Sequence, residues 1–164
     1  MTTSPVQESE RATRKRRIDP KLRASGWDIV PFDPQKPIST YRHHAIEEYP
    51  TANGPADYAL VVSGKLVGVV EAKKVTLGPQ NVLTQAERYS QGIEGGQLDF
   101  DGYRAPFLYS TNGEIFWFHD ARERLNRSRQ VSGFHTPAAL AEMLMREFDS
   151  GCGWLRAHAS QHPA

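Results

Sequence analysis

The sequence predicts an α/β fold in which helices flank a mixed central β-sheet. Two pairs of apolar runs, 57–62 with 66–73 and 106–111 with 114–119, are typical of β-hairpins, because turn residues join each pair. A helix pattern separates the two hairpins, and further helix patterns precede and follow them. This order of elements is typical of a sheet covered by helices.

The composition is that of an ordinary globular domain. The 164 residues suffice for one domain, with 38% hydrophobic and 24% charged residues. No apolar run approaches the roughly 20 residues of a membrane-spanning helix, and the N-terminus lacks the apolar stretch of a secretory signal. A single cysteine, Cys152, excludes an intramolecular disulfide and a Cys-rich zinc site. We therefore expect a cytoplasmic protein with no membrane partner.

We expect one domain over 9–148. A disordered tail is expected at 1–8, and a C-terminal tail or the start of a linker at 149–164. Within the domain, 9–18 lacks Gly, Pro and strand alternation, which predicts a helix.

Asp19-Pro20 is a start signal for a second helix that ends at Gly26, with Asp19 as its N-cap. Ile18 and Leu22 are expected to face the core and the arginines to face solvent. Five prolines between 27 and 56 leave room only for short strands, near 27–30 and 45–49.

The hairpins and the helices around them have the clearest signals. The first hairpin turns at Ser63-Gly64-Lys65 and is apolar almost throughout, so we expect burial on both faces. Asn112-Gly113 is the turn of the second hairpin. Gly78-Pro79 opens a helix to about Ile93, and Thr136-Pro137 opens a last helix. Their apolar positions at helical spacing are Val82, Ala86, Tyr89 and Ile93 in one, and Leu140, Met143, Leu144 and Phe148 in the other.

Basic charge is concentrated in residues 11–23, which contain a single acid, Asp19. Segregated basic charge is typical of proteins that bind polyanions, but a solvated helix face has the same pattern. Charge alone does not distinguish the two. The bases are Arg11, Arg14, Lys15, Arg16, Arg17, Lys21 and Arg23, and a second cluster is Arg122, Arg124, Arg127 and Arg129.

The residues best suited to chemistry are Asp57, at the start of the first hairpin, and Glu71 and Lys73, at its end. Side chains alternate along a strand, so Glu71 and Lys73 share a face. Asp57 joins that face if the loop has an odd number of residues, as a three-residue loop does, or if a bulge intervenes. The three side chains would then converge at the open end of the hairpin.

Two close carboxylates favour a cation between them, and oxygen ligands suit Mg²⁺, with the Ala72 carbonyl as a further ligand. Lys73 is placed to orient a water or to neutralise charge on a phosphorane. The set is suited to phosphodiester hydrolysis. On its own the motif is weak, because strands commonly carry Glu and Lys on a solvent face.

The following helix makes the pattern more specific. Gln85 and Tyr89 lie four residues apart and therefore on one face. With this spacing the chain resembles the N-terminal nuclease domain of the R subunit of type I restriction enzymes, within the PD-(D/E)xK nuclease superfamily. The resemblance covers about 9–145. Its segments include Glu10-Arg11-Ala12-Thr13-Arg14, Ile18-Asp19-Pro20-Lys21-Leu22, Glu48-Tyr49-Pro50, Ala56-Asp57-Tyr58, Val70-Glu71-Ala72-Lys73, Gln85-Ala86-Glu87-Arg88-Tyr89 and Ser110-Thr111-Asn112-Gly113.

The resemblance implies a restriction-endonuclease-like fold and a role for each matching residue. By position, Asp57 and Glu71 match the metal-binding acids, and Lys73 matches the catalytic lysine. Gln85 and Tyr89 match a pair that supports cleavage near the scissile phosphate.

Two further positions follow from the same comparison. Glu10 matches an acid that some members place on the first helix, where it approaches the metal. Ala56 is a departure, because the superfamily has proline directly before the first acid. Five bases near the predicted site are candidate phosphate contacts: Arg14, Arg16, Arg17, Lys74 and Arg88.

The function implied by the resemblance is Mg²⁺-dependent endonucleolytic cleavage of double-stranded DNA. The implied partners are motor domains and the modification and specificity subunits. In the family, a separate subunit reads the DNA sequence. The chain has no G-x-x-x-x-G-K-[ST] motif, so ATP would act only through motor domains absent from this chain. Two alternatives stay open: a non-catalytic DNA-binding or assembly module with the same fold, and a stand-alone nuclease.

Three other features have simpler explanations. His43 and His44 are adjacent, so a regular element cannot aim both at one metal, and surface histidines are expected. Cys152 lies between glycines near the C-terminus and is expected to be a small residue in a tail. The aromatic run 116–118 sits in a strand pattern, which predicts alternate core and surface positions.

Overall fold

The described residues form one mixed sheet of seven strands, which lie side by side in the order of the chain. The structure is a computed structural model that describes residues 11–73, 83–123 and 125–146. Strands β1 and β2 are parallel, as are β4 and β5, whereas the other neighbours are antiparallel. The mixed sheet predicted from the sequence is confirmed. The strands are β1 Asp28–Pro31, β2 His43–Tyr49, β3 Ala56–Val62, β4 Lys65–Ala72, β5 Phe107–Thr111, β6 Phe116–Asp120 and β7 Arg129–Val131.

Helices cover both faces of this sheet. Helix α1 comprises a π-helical turn, Arg14–Ile18, and an α-helix, Asp19–Ala24. Helix α2 spans Thr84–Gln91, residues 137–146 are helical and form α3, and a 3-10 turn, Ile38–Thr40, precedes β2. No helix among the described residues is long and apolar enough to span a bilayer.

Each face of the sheet has its own apolar cluster, because side chains alternate along a strand. One cluster packs Ile18 and Leu22 of α1 and Leu140 of α3 against the sheet. The other packs Ala86 of α2 against residues such as Leu108. All seven residues of β3 except Asp57 are buried, so the expected burial on both faces is confirmed.

The expected break before Asp19 is wrong. The chain is helical without interruption from 11 to 24, and the N–H of Asp19 donates to the carbonyl of Arg14, five residues back. Pro20 has no N–H to donate, and the wider π turn accommodates this missing bond within the helix. Asp19 is therefore not a cap: it is buried in the helix, and the hydroxyl of Tyr58 donates to its carboxylate. The expected stop at Gly26 is confirmed.

The first hairpin turns through two residues rather than three, so of the two expected routes to one shared face, an odd loop or a bulge, the bulge is the correct one. Ser63 and Gly64 both have positive φ, 49° and 78°, which is the conformation of a tight type I′ hairpin turn. Gly64 is required there, since a Cβ would lie 2.9 Å from the carbonyl oxygen of Ser39. The register then shifts between Leu60 and Val61, which leaves one extra residue in β4 as a bulge.

The remaining elements differ from the expectations mainly at their ends. Short strands near 27–30 and 45–49 are confirmed as β1 and β2. The predicted helix start at Gly78-Pro79, and Val82, lie outside the described residues, and α2 ends at Gln91, before Ile93. The last helix begins at 137 as expected, with the N–H of Ala139 donating to Thr136 Oγ1. Strand β7 was not predicted.

The second hairpin has a longer connection than the Asn-Gly signal implies. Glu114 was expected to begin the second strand, but β6 begins at Phe116. The Asn112 side-chain oxygen accepts hydrogen bonds from the N–H groups of Glu114 and Ile115, which holds both residues in the turn. Gly113 lies so close to α1 that a Cβ there would be 2.4 Å from the Cβ of Arg17.

Candidate active site

Asp57, Glu71 and Lys73 come together at the open end of the β3–β4 hairpin. Tyr58 pairs with Val70, so the next residues outward, Asp57 and Glu71, are neighbours on the same face. A two-residue turn alone would place Asp57 and Glu71 on opposite faces of the sheet. The extra residue of the bulge in β4 brings them to the same face. The N–H of Ala72 donates to Asp57 Oδ2 at 2.8 Å, and Lys73 Nζ lies 3.9 Å from Glu71 Oε1.

Glu71 is held in an environment that disfavours a lone negative charge. The residue is only 8% exposed, and its Oε2 is buried without a hydrogen-bond partner among the described residues. Burial raises the pKa of Glu71 to about 7, while the nearby Lys73 lowers the pKa and Asp57 raises it further. A buried, unpaired carboxylate oxygen beside a second carboxylate is the arrangement that a bound cation would stabilise.

The residues of this cluster that could hold a metal ion are Asp57 and Glu71. The described residues contain no group of three or more His, Cys, Asp or Glu side chains suited to a metal. Asp57 and Glu71 would supply two carboxylates, the usual protein share for Mg²⁺ when phosphate oxygens and water complete the shell. At Ala72, whose carbonyl was the further expected ligand, the backbone N–H donates to the Asp57 carboxylate. Glu10, the third acid expected at the metal, lies outside the described residues.

Helix α2 packs on the face of the sheet that carries Asp57 and Glu71, and its residues Gln85 and Tyr89 lie there. Burial raises the pKa of Tyr89, and the charges of Glu71 and Asp57 act in the same direction, whereas the neighbouring Gln85 lowers it. The Asn53 side chain fixes the helix from the β2–β3 loop by donating to the Arg88 carbonyl at 2.7 Å. The two residues therefore lie near the carboxylates, as the resemblance implied.

Arg14 does not face solvent, contrary to the expectation for the arginines of this segment. Its Nη1 lies 2.6 Å from Glu48 Oε1 and 3.5 Å from Asp57 Oδ1, and its guanidinium lies 5.3 Å from the centre of the Tyr58 ring. Asp19 binds the hydroxyl of the same tyrosine, so α1 is attached to β3 at two points. Arg14 is thus part of the site.

The other predicted phosphate contacts occupy varied positions. Arg16 and Arg88 are exposed. Arg17 is also exposed, and its Nη1 lies 2.8 Å from Glu114 Oε1 in the β5–β6 turn. Lys74 lies outside the described residues.

Two residues near the site were not identified as site residues from the sequence pattern. Glu48, with a φ of 55° near the end of β2, is the main partner of Arg14. Ser110 of β5 pairs directly with Glu71 of β4. Only the parallel pairing of β4 with β5 reveals Ser110, and sequence periodicity contains no signal for that pairing.

The residues with simpler explanations do not join the site. His43 Nε2 lies 3.0 Å from Asp28 Oδ2, at the end of β2 opposite to the carboxylates. Burial lowers the pKa of His44. Phe116 and Phe118 belong to one core cluster while Trp117 packs against the other, as alternation predicted. Cys152 lies outside the described residues.

Comparisons with known proteins agree on one family. The family model of the second domain of the type I restriction enzyme EcoKI endonuclease subunit matches residues 34–144. The EcoKI endonuclease subunit of Escherichia coli K12 is 29% identical over 178 aligned positions, which cover 79% of this chain and 15% of that protein.

A solved fragment assigned to an HsdR subunit of a type I restriction enzyme from Vibrio vulnificus YJ016 has a similar fold. Its TM-score is 0.56 at 25% identity, and the match covers 82% of this chain and 25% of the Vibrio chain. This chain thus spans only a small part of each relative. Because the family model matches more than half of the chain, the protein belongs to the family of type I restriction enzyme endonuclease subunits, in the region that corresponds to their second domain.

Proposed function

We propose that this protein cleaves the phosphodiester backbone of double-stranded DNA in a Mg²⁺-dependent reaction, as the nuclease part of a type I restriction enzyme. The observation that carries the proposal is the convergence of Asp57, Glu71 and Lys73 at one end of β3 and β4, where one buried oxygen of Glu71 has no hydrogen bond to the described part of the chain. A structural role alone does not explain why one oxygen of this carboxylate, Oε2, is buried without a hydrogen bond to any described residue, since such burial costs free energy.

The residues have distinct roles in this proposal. Asp57 and Glu71 hold the cation, and Mg²⁺ bound there would polarise a phosphoryl oxygen and lower the pKa of a water nucleophile. Lys73, 3.9 Å from Glu71, is placed to stabilise negative charge that develops on the phosphorane. Gln85 and Tyr89 orient groups at the scissile phosphate from α2.

The substrate and partners follow from the family and from the charge distribution. Exposed bases of α1 would contact phosphates without reading the sequence. We therefore propose that separate modification and specificity subunits choose the DNA, and that motor domains outside this chain use ATP. We also propose a cytoplasmic location.

The test is cleavage by the intact protein assembled with its partner subunits. Glu71→Ala or Lys73→Ala should lower the cleavage rate about 100-fold or more, because losing a metal ligand or a transition-state charge costs several kcal/mol at about 1.4 kcal/mol per tenfold. Lys65→Ala is the matched control, since Lys65 is an exposed lysine at the other end of β4. Cleavage at the wild-type rate by either site variant would refute the site. DNA binding without any Mg²⁺-dependent cleavage by the wild type would favour the non-catalytic module.

A further inference from the structure

We propose that the Ser110 hydroxyl is a positioning group for Glu71, donating a hydrogen bond to its carboxylate when a divalent cation occupies the site. This inference rests on the proposed metal-dependent nuclease function and adds a residue to that site. Ser110 contacts neither the cation nor the DNA in this inference. It orients the Glu71 carboxylate, which binds the cation.

The first support is the strand register. β4 and β5 are parallel, and Glu71 pairs with Ser110. Paired residues on neighbouring strands point to the same face. Val69 and Leu108, two residues earlier on each strand, both belong to the apolar cluster beneath α2. Glu71 and Ser110 therefore share the face that carries Asp57 and Tyr89.

The second support is that both side chains are buried with an unused polar atom. Ser110 is 1% exposed, and its Oγ has no hydrogen-bond partner among the described residues. The same is true of Glu71 Oε2. Leaving one buried polar atom unpaired costs free energy. Two such atoms on paired residues of neighbouring strands indicate that the two groups hydrogen-bond to each other when the site is occupied.

The chemistry of the two groups is complementary. A carboxylate only accepts hydrogen bonds, whereas a serine hydroxyl donates one. Oε1 of Glu71 lies on the side of Lys73, so Oε2 is the oxygen left for Ser110. Trp117 of β6 pairs with Ser110 on its other side, so Ser110 lies between Glu71 and Trp117 within the sheet.

The consequence concerns metal affinity. Groups that hydrogen-bond a ligating carboxylate orient it, and their loss weakens metal binding about 10–100-fold. A serine that only fills space beside Trp117 would leave metal affinity unchanged when shortened to alanine. Metal affinity therefore separates the two roles.

The experiment measures Mn²⁺ binding to the intact protein without DNA, together with thermal unfolding. Ser110→Ala should weaken Mn²⁺ binding about 10–100-fold. Ser110→Thr keeps the hydroxyl and should restore the affinity to within about threefold of wild type. The Mn²⁺ affinity of Ser110→Cys should lie between those of the alanine and threonine variants, because a thiol is a weak donor. This variant replaces Ser110→Ala in the test if the alanine variant does not fold.

Thr111→Val is the matched control, because it removes a hydroxyl from the adjacent residue on the opposite face. Thr111 Oγ1 donates to the Ile115 carbonyl at 2.7 Å and accepts from the Gly113 N–H at 2.9 Å. This variant should lower the melting temperature and leave Mn²⁺ affinity unchanged.

A second readout is the Mg²⁺ dependence of cleavage in the assembled enzyme. Ser110→Ala should raise the half-saturating Mg²⁺ concentration about 10–100-fold and change the rate at saturating Mg²⁺ by less than about threefold. Equal Mn²⁺ affinity of wild type and the folded alanine variant would overturn this inference alone. Absence of Mn²⁺ binding by the wild type would overturn the proposed function, and the inference with it.

Discussion

At the scale of single residues, Arg14, a candidate phosphate contact, also makes contacts inside the proposed site. Its guanidinium lies between Glu48 and Asp57 and over the ring of Tyr58. The contact with Glu48 is the shorter one, so Glu48 anchors Arg14 while Arg14 restrains Asp57. Arg14 is therefore a positioning residue for one of the two proposed cation ligands.

We predict that Arg14→Gln lowers cleavage more than about tenfold, because Asp57 loses a fixed neighbour, and lowers stability by about 1 kcal/mol. Glu48→Gln is the matched control: it weakens the anchor but keeps the guanidinium beside Asp57, so cleavage should fall only a few-fold. Cleavage rates and urea unfolding measure the two effects. Equal loss of cleavage in both variants would show that Arg14 acts only by holding the fold together.

At the scale of elements, the segment before α3 is tied to the sheet by His135. The Tyr109 hydroxyl lies 2.6 Å from His135 Nδ1, and the Trp27 indole N–H donates to the His135 carbonyl at 2.9 Å. Burial lowers the pKa of His135, and the positive charge of Arg129 lowers it further. The folded state thus favours the neutral imidazole.

This shift predicts how stability depends on pH. Well above the unfolded pKa of about 6.5, His135 is neutral in both folded and unfolded chains, so it adds no pH dependence. As the pH falls below that value, the unfolded chain binds a proton that the folded chain resists, and the stability is lost progressively until the folded pKa is passed.

His135→Asn should make the unfolding free energy depend less steeply on pH between 7 and 5 than in the wild type, because the substituted side chain does not titrate. Urea unfolding of both proteins at several pH values measures this difference. Because other titrating groups are common to both proteins, the difference isolates His135. Identical pH profiles would show that His135 titrates alike in the folded and unfolded chains.

At the scale of the whole molecule, the exposed bases of α1 lie at the end of the sheet that carries the proposed site. Arg17 contacts the β5–β6 turn, and Arg14 contacts Asp57, so α1 lies over that end. Its exposed bases include Arg16 and Arg17. The net charge of the chain is only +1, so strong binding from overall charge is not expected.

We predict weak DNA binding by this protein, independent of sequence and steeply dependent on salt, with a slope of about −0.9 in log K against log salt for each neutralised phosphate. Reversing Arg16 and Arg17 to Glu should weaken binding to all sequences and flatten the slope. Reversing Arg42 and Lys65, two exposed bases at the opposite end of the sheet, is the matched control and should do neither. Fluorescence anisotropy at several salt concentrations measures both. Salt-insensitive, sequence-selective binding would contradict the proposed division of labour.

Much of the fold was predictable because its signals are local. Continuous apolar runs of β-branched residues predicted the buried strands β3 and β4, and Thr136-Pro137 predicted the start of α3. Errors occurred where a distant contact overrides a local signal. Asp19-Pro20 has the form of a helix start, but a hydrogen bond from Tyr58, 39 residues away, places Asp19 inside the helix.

By itself, the sequence determined the residue types of the candidate site, the order of its elements and, through the Glu-x-Lys and Gln-x-x-x-Tyr spacings, the family. Only the tertiary structure decided how those residues meet. A bulge of one residue in β4 turns Asp57 to the side of Glu71, because side chains alternate with a period of two and one extra residue reverses the face. Likewise, the pairing of β4 with β5 brings Ser110 beside Glu71 across 39 residues of chain. Such pairings depend on the packing of the whole sheet, which no local pattern encodes.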